Sequence, residues 1–189
     1  PGVRLRIFAE VDVEPLASSN VAGLLRGSDP ELTDEYIVVS AHMDHVGMHD
    51  GEIFNGADDN ASGTTAIITA AEVLAGTARP RRSVIFLAVS GEEKGLLGSR
   101  WWVAHPPVDI EQVVANVNVD MVGRNDPGSV GVTPSPEHEQ YNSLVETAVD
   151  LGPSSGLAVG FEAGEGKYAR PVDVYYERSD HANFARAGI

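Results

Sequence analysis

Three short apolar runs constrain this chain more than any other feature, because none shows the polar alternation of a half-exposed strand and each runs into carboxylates or a histidine. Tyr36 to Ala41, Ser83 to Val89 and Val113 to Val119 are apolar and rich in β-branched residues, the pattern of strands covered on both faces. Ser62 to Leu74 carries helical spacing and many alanines, and Gly95 to Ala104 reads as a shorter helix. Strands alternating with helices predict an α/β sandwich with a mainly parallel central sheet. Val3 to Val13 and Asn20 to Leu25 alternate apolar with polar residues and read as an antiparallel pair. Glu137 to Leu151 reads as a helix that follows Pro136 and stops at Gly152-Pro153, and Gly160 to Arg170 as a loop at the rim of a site.

A chain of 189 residues is long enough for one domain with a sizeable core. Its formal charge of −15 opposes nucleic acid or an anionic membrane surface as partner. No apolar run approaches the roughly 18 residues of a membrane-spanning helix. The absence of cysteine removes disulfides, thiolate metal sites and a cysteine nucleophile together.

In open α/β sheets, ligands collect beyond the carboxyl ends of the strands. There the first run meets His42-Met43-Asp44, the second Gly91-Glu92-Glu93, and the third Asn118-Val119-Asp120; Asn55 to Gly63, with Asp58, Asp59 and Asn60, sits directly before a helix. Each piece has an ordinary explanation. Asp58, Asp59 or Asn60 suits a helix N-cap, Glu92-Glu93 suits a helix start, and a His near an Asp suits a hydrogen-bonded pair. Their coincidence at one sheet edge is another matter, since carboxylates crowded there repel one another at pH 7 unless cations neutralise them. Oxygen-rich ligation with imidazole and no sulfur suits Zn²⁺, Mn²⁺ or Co²⁺ in a hydrolytic site.

Four segments in order, SAHMDHVG (40–47), GADDNASG (56–63), SGEEKGLLGS (90–99) and NVDMVG (118–123), resemble the signature of the co-catalytic di-zinc aminopeptidase family, which includes glutamate carboxypeptidase and the glutaminyl cyclases. The resemblance implies a three-layer α/β/α sandwich with a mixed, mainly parallel central sheet. It makes His42 and Asp120 ligands of one metal, Glu93 a ligand of the second and Asp59 the bridge between them. Glu92 would be the general base, and Asp44 the carboxylate orienting His42. Tyr176, before Ser179-Asp180-His181, has the offset of a tyrosine that hydrogen-bonds the oxyanion; a strand-end tyrosine packed on the sheet is the other reading. The family's last histidine ligand comes from a later segment. This implies a single catalytic domain over residues 1–189 that stops short at its C-terminus, with His181 as the substitute ligand within the chain.

His45 and His49 match no family ligand and read as pocket-lining. His105 and His138 read as surface or capping residues, and Trp101-Trp102 as helix surface buried on the sheet. The implied activity is an aminopeptidase acting on peptides with two zinc ions, secreted or periplasmic. A carboxypeptidase using Lys94, Arg100, Arg124 or Arg178, a one-zinc glutaminyl cyclase and a degenerate metal-binding domain are the alternatives.

Overall fold

The computed structural model describes residues 3–12, 15–77, 79–124, 128–164 and 169–189, and sets the three apolar runs side by side. In chain order the elements are β1 (Val21–Leu25), β2 (Tyr36–His42), β3 (Gly47–His49), β4 (Glu52–Phe54), α1 (Ala61–Gly76), β5 (Ser83–Val89), α2 (Leu97–Ala104), β6 (Val113–Asn118) and β7 (Ser129–Gly131). They continue with α3 (Ser143–Leu151), β8 (Ala158–Gly160), β9 (Glu162–Ala163), β10 (Arg170–Pro171) and α4 (His181–Arg186). The central sheet runs β1-β5-β2-β6. β2 is parallel to both β5 and β6, and β1 is antiparallel to β5. The sheet is therefore mixed and mainly parallel, as expected.

Register positions the site. His42 pairs with Val89 and Ser40 with Asn118, so β2, β5 and β6 end on one line and deliver Asp44, Glu92, Glu93 and Asp120 just beyond it. The core cluster joins Tyr36 and Val38 of β2, Ile85, Leu87 and Val89 of β5 and Val113 of β6 to Trp102 of α2 and Phe184 of α4. The rings of Trp102 and Phe184 lie 5.3 Å apart. α1 packs against β2 and β5 and buries Ile67 outside that cluster. Gly63 lets it approach closely: a Cβ there would stand 2.3 Å from the Val119 carbonyl oxygen, a clash that rigid backbone cannot relieve.

Four expectations need correction. Residues 3–12 form no strand, and β1 pairs with β5 instead; alternation shows that a segment can pair but not with what. The third helix begins at Ser143, capped by Asn142, whose side chain accepts from the Leu144 and Val145 amides. The chain after Pro136 is drawn into turns around Ser135, which bonds Asp173 through both its amide (2.7 Å) and its hydroxyl (2.6 Å). Within 160–170, residues 165–168 lie outside the described residues, and β9 and β10 pair as an antiparallel ribbon. Of the two tryptophans only Trp102 is buried; Trp101 is exposed and stacks on His105 at 4.8 Å.

Candidate metal centre

His42, the last residue of β2, is buried. Its Nδ1 lies 2.9 Å from the Asp44 carbonyl oxygen, and because a carbonyl only accepts, Nδ1 carries the hydrogen and Nε2 faces the other way. Nε2 stands 3.1 Å from Asp59 Oδ1, 3.4 Å from Asp120 Oδ1 and 4.0 Å from Glu92 Oε2. The second oxygen of Asp59 points to a different imidazole: Oδ2 is 3.9 Å from His45 Nδ1, which is 2.6 Å from Glu93 Oε1. Two groups result, His42–Asp59–Asp120 and His45–Asp59–Glu93. Within each, the candidate ligand atoms lie within 4.8 Å of one another, and Asp59 belongs to both.

Local structure fixes these side chains. The N-cap of α1 is Asn60, not Asp59: Asn60 Oδ1 accepts from the Gly63 and Met121 amides, and its Nδ2 donates to the Val119 carbonyl. Asp59 is thereby released from capping and faces the site. Asp120 is held by a relay across the sheet edge. Ser40 donates to Asn118 at 2.8 Å, Asn118 to Ser179 at 2.8 Å, and Ser179 to Asp120 Oδ2 at 2.7 Å, leaving Oδ1 turned toward His42. In the sequence Asn118 and Ser179 stand near Asp120 and Asp180 without an assigned role, because serine and asparagine bring no metal chemistry of their own.

The electrostatics of the metal-free cluster are unfavourable. Burial alone would lower the His42 pKa, but the adjacent Asp120 carboxylate and the charge of Glu92 raise it to about 9. Burial raises Glu92 to about 7, with Asp180, Asp120 and Glu93 adding to the shift against His42. Burial, Glu93 and Asp120 push Asp59 upward as well. Four buried atoms in this small space, His42 Nε2, Asp120 Oδ1, His45 Nδ1 and Glu93 Oε1, face only other members of the cluster as ion pairs. Imidazole nitrogens and carboxylate oxygens clustered in this way form a donor set suited to divalent zinc.

The remaining candidates are arranged differently. The Asp44 carboxylate is 3.7 Å from His42 Nδ1, and the orienting contact is its backbone carbonyl. The carboxylate accepts instead from the Glu92 and Glu93 amides, at 3.2 and 3.4 Å, and so holds the Glu92-Glu93 turn. Tyr176 follows a 3-10 turn at Val172–Tyr175, not a strand. Its ring packs between His138 (4.4 Å) and His181 (5.4 Å). His181 opens α4 and belongs to neither group among the described residues. His49 is exposed beside Asp50 at 3.5 Å. The His105 amide caps α2. Beside the cluster lies a pocket walled by His45, Asp58, Asp59, Met121 and Arg124.

Residues 20–189 match the profile described as Peptidase family M28. The chain is 33% identical over 127 residues to mouse Aminopeptidase NAALADL1, a match covering 64% of this chain and 16% of that protein. Among solved structures, BSAP, a zinc aminopeptidase from Bacillus subtilis, superposes with a TM-score of 0.64 at 27% identity, over 90% of this chain and 38% of that one. Porphyromonas gingivalis glutaminyl cyclase shares the fold at 19% identity and a TM-score of 0.64, over 88% of this chain and 59% of that one. The chain thus spans well under half the length of the two aminopeptidases.

Proposed function

This chain belongs to peptidase family M28, and from that premise we propose that it is a zinc-dependent exopeptidase removing N-terminal residues from peptides. One observation carries the reading: His42 with Asp120, and His45 with Glu93, gather around the two oxygens of Asp59 at the carboxyl edge of the sheet. On this reading His42 and Asp120 would hold one zinc ion and Glu93 would help hold a second, with Asp59 available to both. Bound zinc polarises a carbonyl and acidifies a coordinated water. Glu92, with a carboxyl pKa raised to about 7, accepts a proton from the attacking water and returns it to the leaving amine. Asp44 keeps Glu92 in place through its amide.

A panel of aminoacyl-chromophore substrates with added Zn²⁺ tests this directly. Release from free-amino substrates, but not from their N-acetylated forms, is expected; silence across the panel with zinc bound would favour a degenerate site. A second reading has one observation in its favour. Of the four cationic residues considered for a carboxypeptidase, Arg124 lines the pocket beside Asp59, where a guanidinium would pair with a substrate carboxylate. Peptides blocked at the amino end and ending in Glu, added to the same panel, separate the two.

Zinc uptake should release protons. The folded-state pKa of His42, about 9, lies above its ordinary 6.5, so His42 is protonated at pH 7 in metal-free protein and must lose that proton to bind. Apparent zinc affinity is therefore expected to rise about tenfold per pH unit for each proton released, up to about pH 9. The same shift makes the His42 contribution to metal-free stability present below 6.5 and lost as pH rises through 9. Calorimetric zinc titrations in buffers of different ionisation heat check the release; heats independent of buffer would contradict it.

A further inference from the structure

We propose that the ribbon of β3 and β4 is a docking surface for the substrate peptide, receiving apolar residues that follow the scissile bond; this rests on the reading of the chain as an aminopeptidase. The ribbon grows out of the wall of the pocket beside the metal cluster. His45 comes just before β3, and Gly56, Ala57, Asp58 and Asp59 come just after β4; all of them line that pocket. Gly47 pairs with Phe54, Met48 with Ile53 and His49 with Glu52. Asp50 and Gly51 close the ribbon with φ of +50 and +83, consecutive left-handed residues that match the twist of a tight hairpin and pin its register.

What the ribbon presents to solvent is apolar. Met48 and Ile53 stand directly opposite one another and so share one face, where they are 71% and 70% exposed; Phe54 on the other face and Val46 at the foot are exposed as well. Apolar residues scattered singly over a surface are ordinary, whereas a contiguous set beside a pocket marks a place where a partner binds. Among the described residues β3 and β4 pair only with each other, so the outer edge of each strand is open to an extended chain. A peptide that enters amino end first must lead its remaining residues out across the rim of the pocket, and the ribbon stands on that rim. The formal charge of −15, with Glu52 on the ribbon itself, disfavours acidic residues there. Apolar side chains are what Met48 and Ile53 can bury.

The test uses the zinc-loaded protein and free-amino peptides that differ only beyond the scissile bond, with apolar residues in one series and glutamates in the other. Wild type should show the lower KM for the apolar series. The double variant Met48→Ser with Ile53→Ser should raise that KM about tenfold, the scale of losing one partly buried apolar side chain, and should keep wild-type turnover of the aminoacyl-chromophore substrate. The conservative pair Met48→Leu with Ile53→Val should keep the wild-type KM. Both positions are exposed, so the serine variant is expected to fold, and its chromophore turnover reports whether it has. Equal KM for the two series in wild type, an unaltered peptide KM in the serine variant, or a parallel loss on peptide and chromophore substrates would overturn the proposal. Sedimentation of the same proteins adds one further outcome: a wild-type dimer that the serine variant dissociates would assign the face to a second copy and overturn it too. Silence of the wild type on every aminoacyl-chromophore would instead overturn the aminopeptidase reading, and this proposal with it.

Discussion

Glu92→Gln is expected to lower kcat by about 10²- to 10⁴-fold with zinc content unchanged, the range a positioned general base contributes. Glutamine keeps the size and hydrogen-bonding shape of the side chain but cannot take up a proton. The position is set from two sides, by the amide bond to Asp44 and by the approach of Oε2 to His42 Nε2 at 4.0 Å. Burial brings the carboxyl to a pKa of about 7, so it can both accept and deliver a proton near neutral pH. Glu92 lies outside both ligand groups, which is why metal retention is part of the expected result. Steady-state kinetics with metal analysis of the same sample checks both halves, and wild-type turnover at full occupancy would remove Glu92 from the mechanism.

Asp59→Asn should have the widest effect on metal binding, because one side chain serves two groups. Its Oδ1 faces His42 and its Oδ2 faces His45, and an amide presents one oxygen in place of two anionic ones. Both affinities are expected to fall, with activity reduced to background. The metal-free proteins should differ in the opposite sense. Burial together with Glu93 and Asp120 raises the Asp59 pKa in the folded state, so its ionised form destabilises the empty fold at neutral pH. The metal-free asparagine variant should accordingly melt no lower than metal-free wild type, and zinc should raise its Tm far less. A variant that lost stability without metal while still binding two ions would show that Asp59 is structural.

Much of this was legible in the primary structure, and the reason is local. Strands β2 and β5 are covered on both faces, and burial of that kind leaves an unbroken apolar run that alternation cannot imitate; β6, at the end of the described sheet, has the same apolar run but exposes Val114 and Val117. Parallel strands that end in register bring together whatever follows them, so His42, Glu92, Glu93 and Asp120 could be identified as neighbours before any distance was known. Asp59 was less secure, since a carboxylate before a helix is commonly a cap. The structure resolves this by giving the cap to Asn60, whose side chain bonds both α1 and the end of β6.

Pattern reading failed wherever the outcome depended on a partner far away in the chain. Ser135 takes Asp173 as its partner and draws the residues after Pro136 out of the helix, and β1 finds β5 more than fifty residues later. Tyr176 follows a 3-10 turn and not a strand, with its ring against two histidines. His45 shows the division most clearly. By sequence it is a polar loop residue three positions after His42, and nothing in its spacing sets it apart from His49. It meets Glu93 only because the turn at Gly56 folds onto it and the edge of the sheet brings β5's exit alongside. Local pattern was enough to give the three apolar strands, their common polar edge and the types of ligand available there. Which oxygen faces which imidazole was decided by tertiary structure, because those distances are set by loop closure between segments that share no local pattern.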